Sequence, residues 1–104
     1  MPPSVNAPVP PTLALPTELT HRQAATTLAD LQQALAIQPE GELLLDASAL
    51  RQFDTSALAV LLECRRTVVA QGGRLRVCGL PSALERMAVL YGVDSLLGST
   101  EPNR

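Results

Sequence analysis

A chain of 104 residues and 11.0 kDa with 46% apolar residues makes one small domain with enough material for a core. Phe53 and Tyr91 are its only aromatics, so that core must be mostly Leu, Val and Ala. A net charge of −2 and so few rings argue against nucleic acid, and the complete lack of lysine excludes P-loop, Schiff-base and lysine-base chemistry.

Residues 1–12 hold five of the nine prolines and read as an extended, flexible arm, in which residues 5–9 could add only as an edge strand. There is neither a basic cluster nor an apolar stretch of signal-peptide type here, which predicts a cytoplasmic protein. The longest apolar run, residues 57–62, is far below the roughly 20 residues of a membrane span. Leu13-Ala14-Leu15 reads as a first strand, ended by Pro16. Thr20 and Gln23 have capping-box spacing and open a first helix with Ala24, Ala25, Leu28, Leu31 and Leu35 inward, stopped by Pro39 and Gly41. The run Glu42-Leu43-Leu44-Leu45-Asp46 suits a central strand covered on both faces.

After a short loop, residues 54–71 read as a second helix that Gly72-Gly73 terminates. Arg74-Leu75-Arg76-Val77-Cys78 alternates as a strand with one wet face. Pro81-Ser82 opens a third helix, where Ser82 and Glu85 repeat the capping-box spacing, Leu84, Met87, Ala88 and Tyr91 point inward, and Gly92 closes the end. Leu96-Leu97 is the last apolar pair before a flexible tail, residues 98–104. Strand–helix alternation of this kind predicts an α/β domain with parallel neighbouring strands and a working face at their carboxyl ends.

Residues 46–55 fall at such an end, and FDTSALAVLL there carries three side-chain oxygens where a helix cap needs one. The plain reading of Asp54-Thr55-Ser56 is a loop and a cap. On the helix itself Leu58, Leu61, Leu62, Val68 and Val69 make an inward stripe, whereas Ser56, Ala59, Glu63 and Arg66 fall on another, with Thr55 four residues before Ala59. The first outward turns are therefore built of small residues, over which a second backbone can come close. A phosphate on a hydroxyl at this positive helix end would suit the dipole and turn a small neutral surface into a large dianionic one. Asp46 and Asp54 fit strand-end and cap roles better than an acid/base pair, and His21 fits a surface position in the first helical turn. Cys64 and Cys78 form no CxxC pair and read as reduced core residues, and one histidine leaves no zinc ligand set, so no metal or cofactor is expected.

The stretch DASALRQFDTSALAVLLECRR resembles the central segment of STAS domains, the family of bacterial anti-sigma-factor antagonists and transporter-associated modules. In both, an apolar strand ending in Asp (Leu43-Leu44-Leu45-Asp46) is followed by a loop and by Asp with hydroxyls opening a helix (Asp54-Thr55-Ser56). The resemblance spans residues 13–97 and implies a small mixed sheet with three or more helices packed mainly on one side. Within the family, LALPTELT, the threonine after Asp54 and the ending RMAVLYGVDSLL are similar to the MlaB-type subunit of the Mla phospholipid transport system. That likeness implies a non-enzymatic accessory subunit, cytoplasmic and peripheral to the inner membrane. It would bind the ATPase of an ABC transporter that maintains outer-membrane lipid asymmetry, with no insertion into the bilayer. It places Thr55 at the partner surface, and the helix geometry read above puts Asp54, Ser56, Ala59, Glu63 and Arg66 around it as further partner-binding residues. The antagonist branch implies the alternative, phosphorylation of Ser56 by an anti-sigma-factor kinase. Ala57 and Leu58-Ala59 depart from that branch's glycines, and Ser56 departs from the glycine usual in the Mla branch.

Overall fold

The computed structural model describes residues 12–36 and 41–97. The arm up to residue 11 with its edge strand at 5–9, the stop signal at Pro39 and the tail at 98–104 lie outside the described residues. In chain order the elements are β1 (Thr12–Ala14), β2 (Glu18–Leu19), α1 (Ala24–Ala36), β3 (Glu42–Asp46), β4 (Gln52–Phe53), α2 (Thr55–Ala70), β5 (Arg74–Cys78) and α3 (Ser82–Leu90). A 3-10 turn over Asp94–Leu97 follows.

β1, β3 and β5 form a sheet in that order, and every pairing in it is parallel. Leu13, Leu45 and Val77 stand in one row across the strands, and Leu43 and Leu75 in another. These five face the core, where Leu43, Leu45, Leu75 and Val77 are buried. The opposite face carries Ala14, Glu42, Asp46, Arg74, Arg76 and Cys78, half-buried or exposed. This corrects the expectation that β3 is covered on both faces: Leu44 lies on the outer side, half-buried, beside Thr12 and Arg76. An apolar run of three leucines cannot distinguish a two-sided strand from a one-sided strand that keeps one leucine outside.

The helices gather on the buried face, with α2 packed against α1, α3 and β5. Leu19, Leu35, Leu45, Leu61, Leu84 and Leu97 are fully buried with Cys64, each leucine contributing about 1.5–3 kcal/mol on burial. Burial, followed by the charge of Glu63, pushes the Cys64 thiol up to about 11, which keeps it protonated and inert.

Several inward assignments need correction. Cys78 is exposed on the wet face of β5, Ala25 is exposed, and Val69 and Tyr91 stand 47% and 58% open. Val69 and Tyr91 belong to the last turn or the end of their helices, where the partner layer has run out. Ala57, Val60 and Cys64 fill the inward face of α2 instead. At the start of α3, Ser82 is already helical and Pro81 is the cap, with no side-chain cap bond, so the Ser82–Glu85 spacing is not used.

The helix ends follow their glycines. Beyond Gln71, Gly72 N–H donates to the Val69 carbonyl and Gly73 N–H to the Val68 carbonyl, both at 2.9 Å, the reciprocal pair of a Schellman closure. Gly72 takes φ +83°, a left-handed conformation that a side chain would strain. Gly73 is needed for space, since a Cβ there would stand 2.7 Å from the Gly41 carbonyl oxygen. The end of α3 closes in the same way, with Gly92 bonded to Val89 and Val93 to Ala88.

Gly72→Ala is expected to cost about 1–2 kcal/mol in urea denaturation, the strain of one left-handed residue with open space around it. Gly73→Ala should cost more, because backbone has to move to admit the methyl group.

Candidate functional site

The start of α2 is built by two distant segments. β2 and β4 form a separate parallel bridge, with Glu18 opposite Gln52 and Leu19 opposite Phe53, reinforced by Arg51 N–H and Gln52 N–H on the Thr17 carbonyl. This bridge occupies what the sequence suggests is plain loop, and its consequence is positional. The residues after Leu19 arrive beside the residues after Phe53.

At that junction Asp54 is the N-cap of α2, in extended conformation (φ −138°). Its Oδ1 accepts the Ser56 amide at 2.8 Å. Its Oδ2 accepts the His21 amide at 3.0 Å and lies 3.2 Å from His21 Nδ1. Thr20 precedes His21 in a turn held by the Gln23 side chain, whose Oε1 accepts from the Thr20 amide at 2.9 Å and from its hydroxyl at 2.8 Å. The capping-box spacing read from the sequence is therefore used at Thr20 by its glutamine arm, while the Thr20 hydroxyl accepts from Arg22 N–H.

The His21 amide is the main reason that the Asp54 carboxyl is lowered to about 2, with the Ser56 amide and the His21 side chain adding to it against some desolvation. Asp46 is lowered as well, by the Ser48 hydroxyl and amide, which makes it the anchor of the β3–β4 turn. The two aspartates have separate partners and separate structural tasks.

The predicted site residues divide into support and surface. Asp54 is support: its oxygens are taken by the cap and by His21. Thr55, Ala59 and Arg66 are exposed along one side of α2, and Ser56 and Glu63 are half-buried beside them. Arg66 and Glu63 form an ion pair at 3.3 Å one turn apart. The first two turns thus present a threonine and an alanine, with the charges lower on this stripe, Glu63 and Arg66, already matched to each other. Small residues and neutralised charges make a surface of low relief that another protein can approach closely. A phosphate on Ser56 would be favoured by the helix end and opposed by the ionised Asp54 carboxylate beside it.

His21 is the residue that sequence reading undervalues. It is an exposed first-turn residue as expected, yet it is tied to a carboxylate 33 positions away. No spacing rule connects the two; only the pairing of Glu18-Leu19 with Gln52-Phe53 could reveal it. Among the described residues, no third histidine, cysteine or carboxylate joins them to make a metal-binding group, and no helix is long and apolar enough to cross a membrane.

Comparison with known proteins decides the family. A family model described as "Mlab, STAS domain" matches residues 5–98. The chain belongs to the MlaB-type STAS domain family. An anti-sigma-factor antagonist (STAS) domain protein from Planctomyces limnophilus has a similar structure, with a TM-score of 0.75 at 11% identity over 88% of this chain and 82% of that one. At that identity the likeness establishes the shared fold. STAS domains are regulatory or accessory modules that act through protein–protein contacts, and the described residues of this one have the same architecture.

The depressed Asp54 carboxyl predicts a pH dependence of stability. Its folded value lies below the ordinary 3.8, so its contribution is complete above about pH 4 and is lost as pH falls toward 2. Asp54→Asn should be less stable than the parent at pH 7, and the gap should close between about pH 4 and 2 in urea denaturation across that range.

Proposed function

We propose that this chain is a non-enzymatic accessory subunit of an Mla-type ABC transporter and binds the transporter's cytoplasmic ATPase through the start of α2. The complex would move phospholipids and maintain outer-membrane lipid asymmetry, and the chain would sit in the cytoplasm, peripheral to the inner membrane. The observation that carries this reading is the exposed Thr55, the residue the MlaB-type resemblance assigns to the ATPase contact, at the head of a stripe of small side chains. Thr55, Ser56 and Ala59 supply the close-approach surface. Glu63 and Arg66 supply its polar rim, where charges set register more than affinity. The Asp54 bonds to the Ser56 and His21 amides hold the first turn of α2 in place beside it.

The support is physical as well as familial. A docking patch must be open in the free subunit, rigid enough to avoid a large ordering cost and free of unmatched charge. Thr55 satisfies the first condition by its exposure, the Asp54 cap with its two-segment anchorage satisfies the second, and the Glu63–Arg66 pair satisfies the third.

Thr55→Arg places a long cation where the partner backbone has to come near. It should weaken binding to the cognate ATPase by about tenfold or more in a pull-down or titration, while leaving stability within about 0.5 kcal/mol of the parent. Undiminished capture by the ATPase would show that the contact lies elsewhere. Intact-mass measurement after incubation with a cognate anti-sigma-factor kinase and ATP tests the other branch, since a phosphate mapped to Ser56 would assign the chain to partner switching.

A further inference from the structure

α3 has an inner face spent on packing and an outer face with nothing on it. Leu84, Met87 and Ala88, at i, i+3 and i+4, turn toward the rest of the domain, and Leu84 and Ala88 are buried there. Ser82, Glu85, Arg86 and Val89 stand at i, i+3, i+4 and i+7, two residues out of step, which puts them on the opposite side, and all four are exposed. Leu90 borders them. At 80% it is the most exposed large apolar side chain among the described residues, and Val89 beside it is 59% exposed.

The two charges on this face have no partner of their own. Glu85 and Arg86 are neighbours in sequence, so they point about 100° apart around the helix and not at each other. Neither enters an ion pair among the described residues, where the paired arginines are Arg66 and Arg76. The face nevertheless matches itself. An antiparallel crossing of two α3 helices, on a two-fold axis passing between Glu85 and Arg86, sets each Glu85 opposite Arg86 of the other copy. The same crossing lays Val89 over Ser82 of the second copy and brings Leu90 to its Pro81, a large side chain over a small or flat one at both ends. Opposite charges in the middle and complementary shapes outside them are what an isologous contact requires. A parallel crossing would set each charge against its own kind.

We propose that the outer face of α3 is a self-association surface, on which a second copy of this chain docks antiparallel through two Glu85–Arg86 pairs flanked by Val89 and Leu90. A lipid bilayer could take up Val89 and Leu90, but it would press the Glu85 carboxylate against the membrane with its charge unanswered. The nine residues of α3 span about 14 Å, so the contact falls well below the roughly 800 Å² per partner of a stable complex. Association of free chains is therefore weak, and the surface acts where a larger assembly holds two copies close together, at an effective concentration on the order of millimolar. None of the residues of the α2 patch takes part, and the inference does not depend on the transporter reading.

Sedimentation velocity of the full chain, from micromolar to about 1 mM, tests it. A monomer–dimer equilibrium is expected within that range. Glu85→Arg and Arg86→Glu should each weaken dimerisation about tenfold or more, because each sets like charges across the axis. The double variant Glu85→Arg/Arg86→Glu should recover the parent's dimerisation, and an equimolar mixture of the two single variants should form a mixed dimer that neither forms alone. Leu90→Ser should also weaken the dimer. All these positions are exposed, and an unchanged circular dichroism spectrum checks that each variant is folded. A chain that stays monomeric to 1 mM overturns the proposal, as do a dimer indifferent to the single charge variants and a mixture that fails to associate. Co-sedimentation of a monomeric chain with phosphatidylcholine–phosphatidylglycerol vesicles, lost in Leu90→Ser, overturns it too by assigning the face to a membrane.

Discussion

The Asp54 carboxylate accepts bonds from two places at once: the Ser56 amide at the head of α2 and the amide of His21 in the turn before α1. Each bond alone would be ordinary. Together they lock the first turn of one helix to the entrance of another, so that the exposed residues next to Asp54 stand on a base that cannot rotate freely. A carboxylate in this position must remain ionised, and the amide donors around it enforce that. The three oxygens at the start of α2 therefore have separate fates. Asp54 is consumed by structure, Ser56 gives its amide to the cap and stays half-buried, and Thr55 remains open to the surroundings.

The remaining architecture explains why such a patch is available. A small parallel sheet with helices on one face has one core, and α2 is the helix that reaches α1, α3 and the sheet together. Its inward side is saturated with Ala57, Leu58, Val60, Leu61, Cys64 and Val68. With that many residues committed to packing, the outward side is free to carry small groups without loss of stability. Steric relief, and not charge, is what the exposed head of the helix has to offer. The far end of the same helix differs: there Arg65 and Val69 line a groove with Arg74 and Arg76 of β5, and positive charge is concentrated. One helix separates two surfaces of different chemistry.

Where local rules act alone, the sequence anticipates the molecule closely. The bounds of α2, a cap at Asp54 or Thr55 (the structure uses Asp54), its double-glycine stop and the alternation of β5 all follow from neighbours within a few residues. The predicted stripe of Ser56, Ala59, Glu63 and Arg66, with Thr55 beside it, is met in part: Thr55, Ala59 and Arg66 are exposed, and Ser56 and Glu63 are half-buried. Reading fails where the answer depends on distant partners. The β2–β4 bridge consists of two-residue strands, too short to carry a period, and His21 meets Asp54 only because that bridge exists. Helical periodicity assigns Val69 and Tyr91 to inward stripes, but a stripe buries only as far as its partner layer extends. Cys78 looks like a core residue by type and is exposed because the strand's alternation turns it to the wet face. In the first two cases the missing information is tertiary; Cys78 follows from the local alternation of its own strand.

Hydrogen–deuterium exchange, read by peptide-level mass spectrometry on the chain alone and in complex with the cognate ATPase, tests the central claim most directly. The account predicts that binding slows exchange in peptides covering the first turns of α2 and the Thr20–His21 turn, and leaves the end of α3 unchanged. Unchanged exchange across the start of α2 in a complex that protects another face would contradict it.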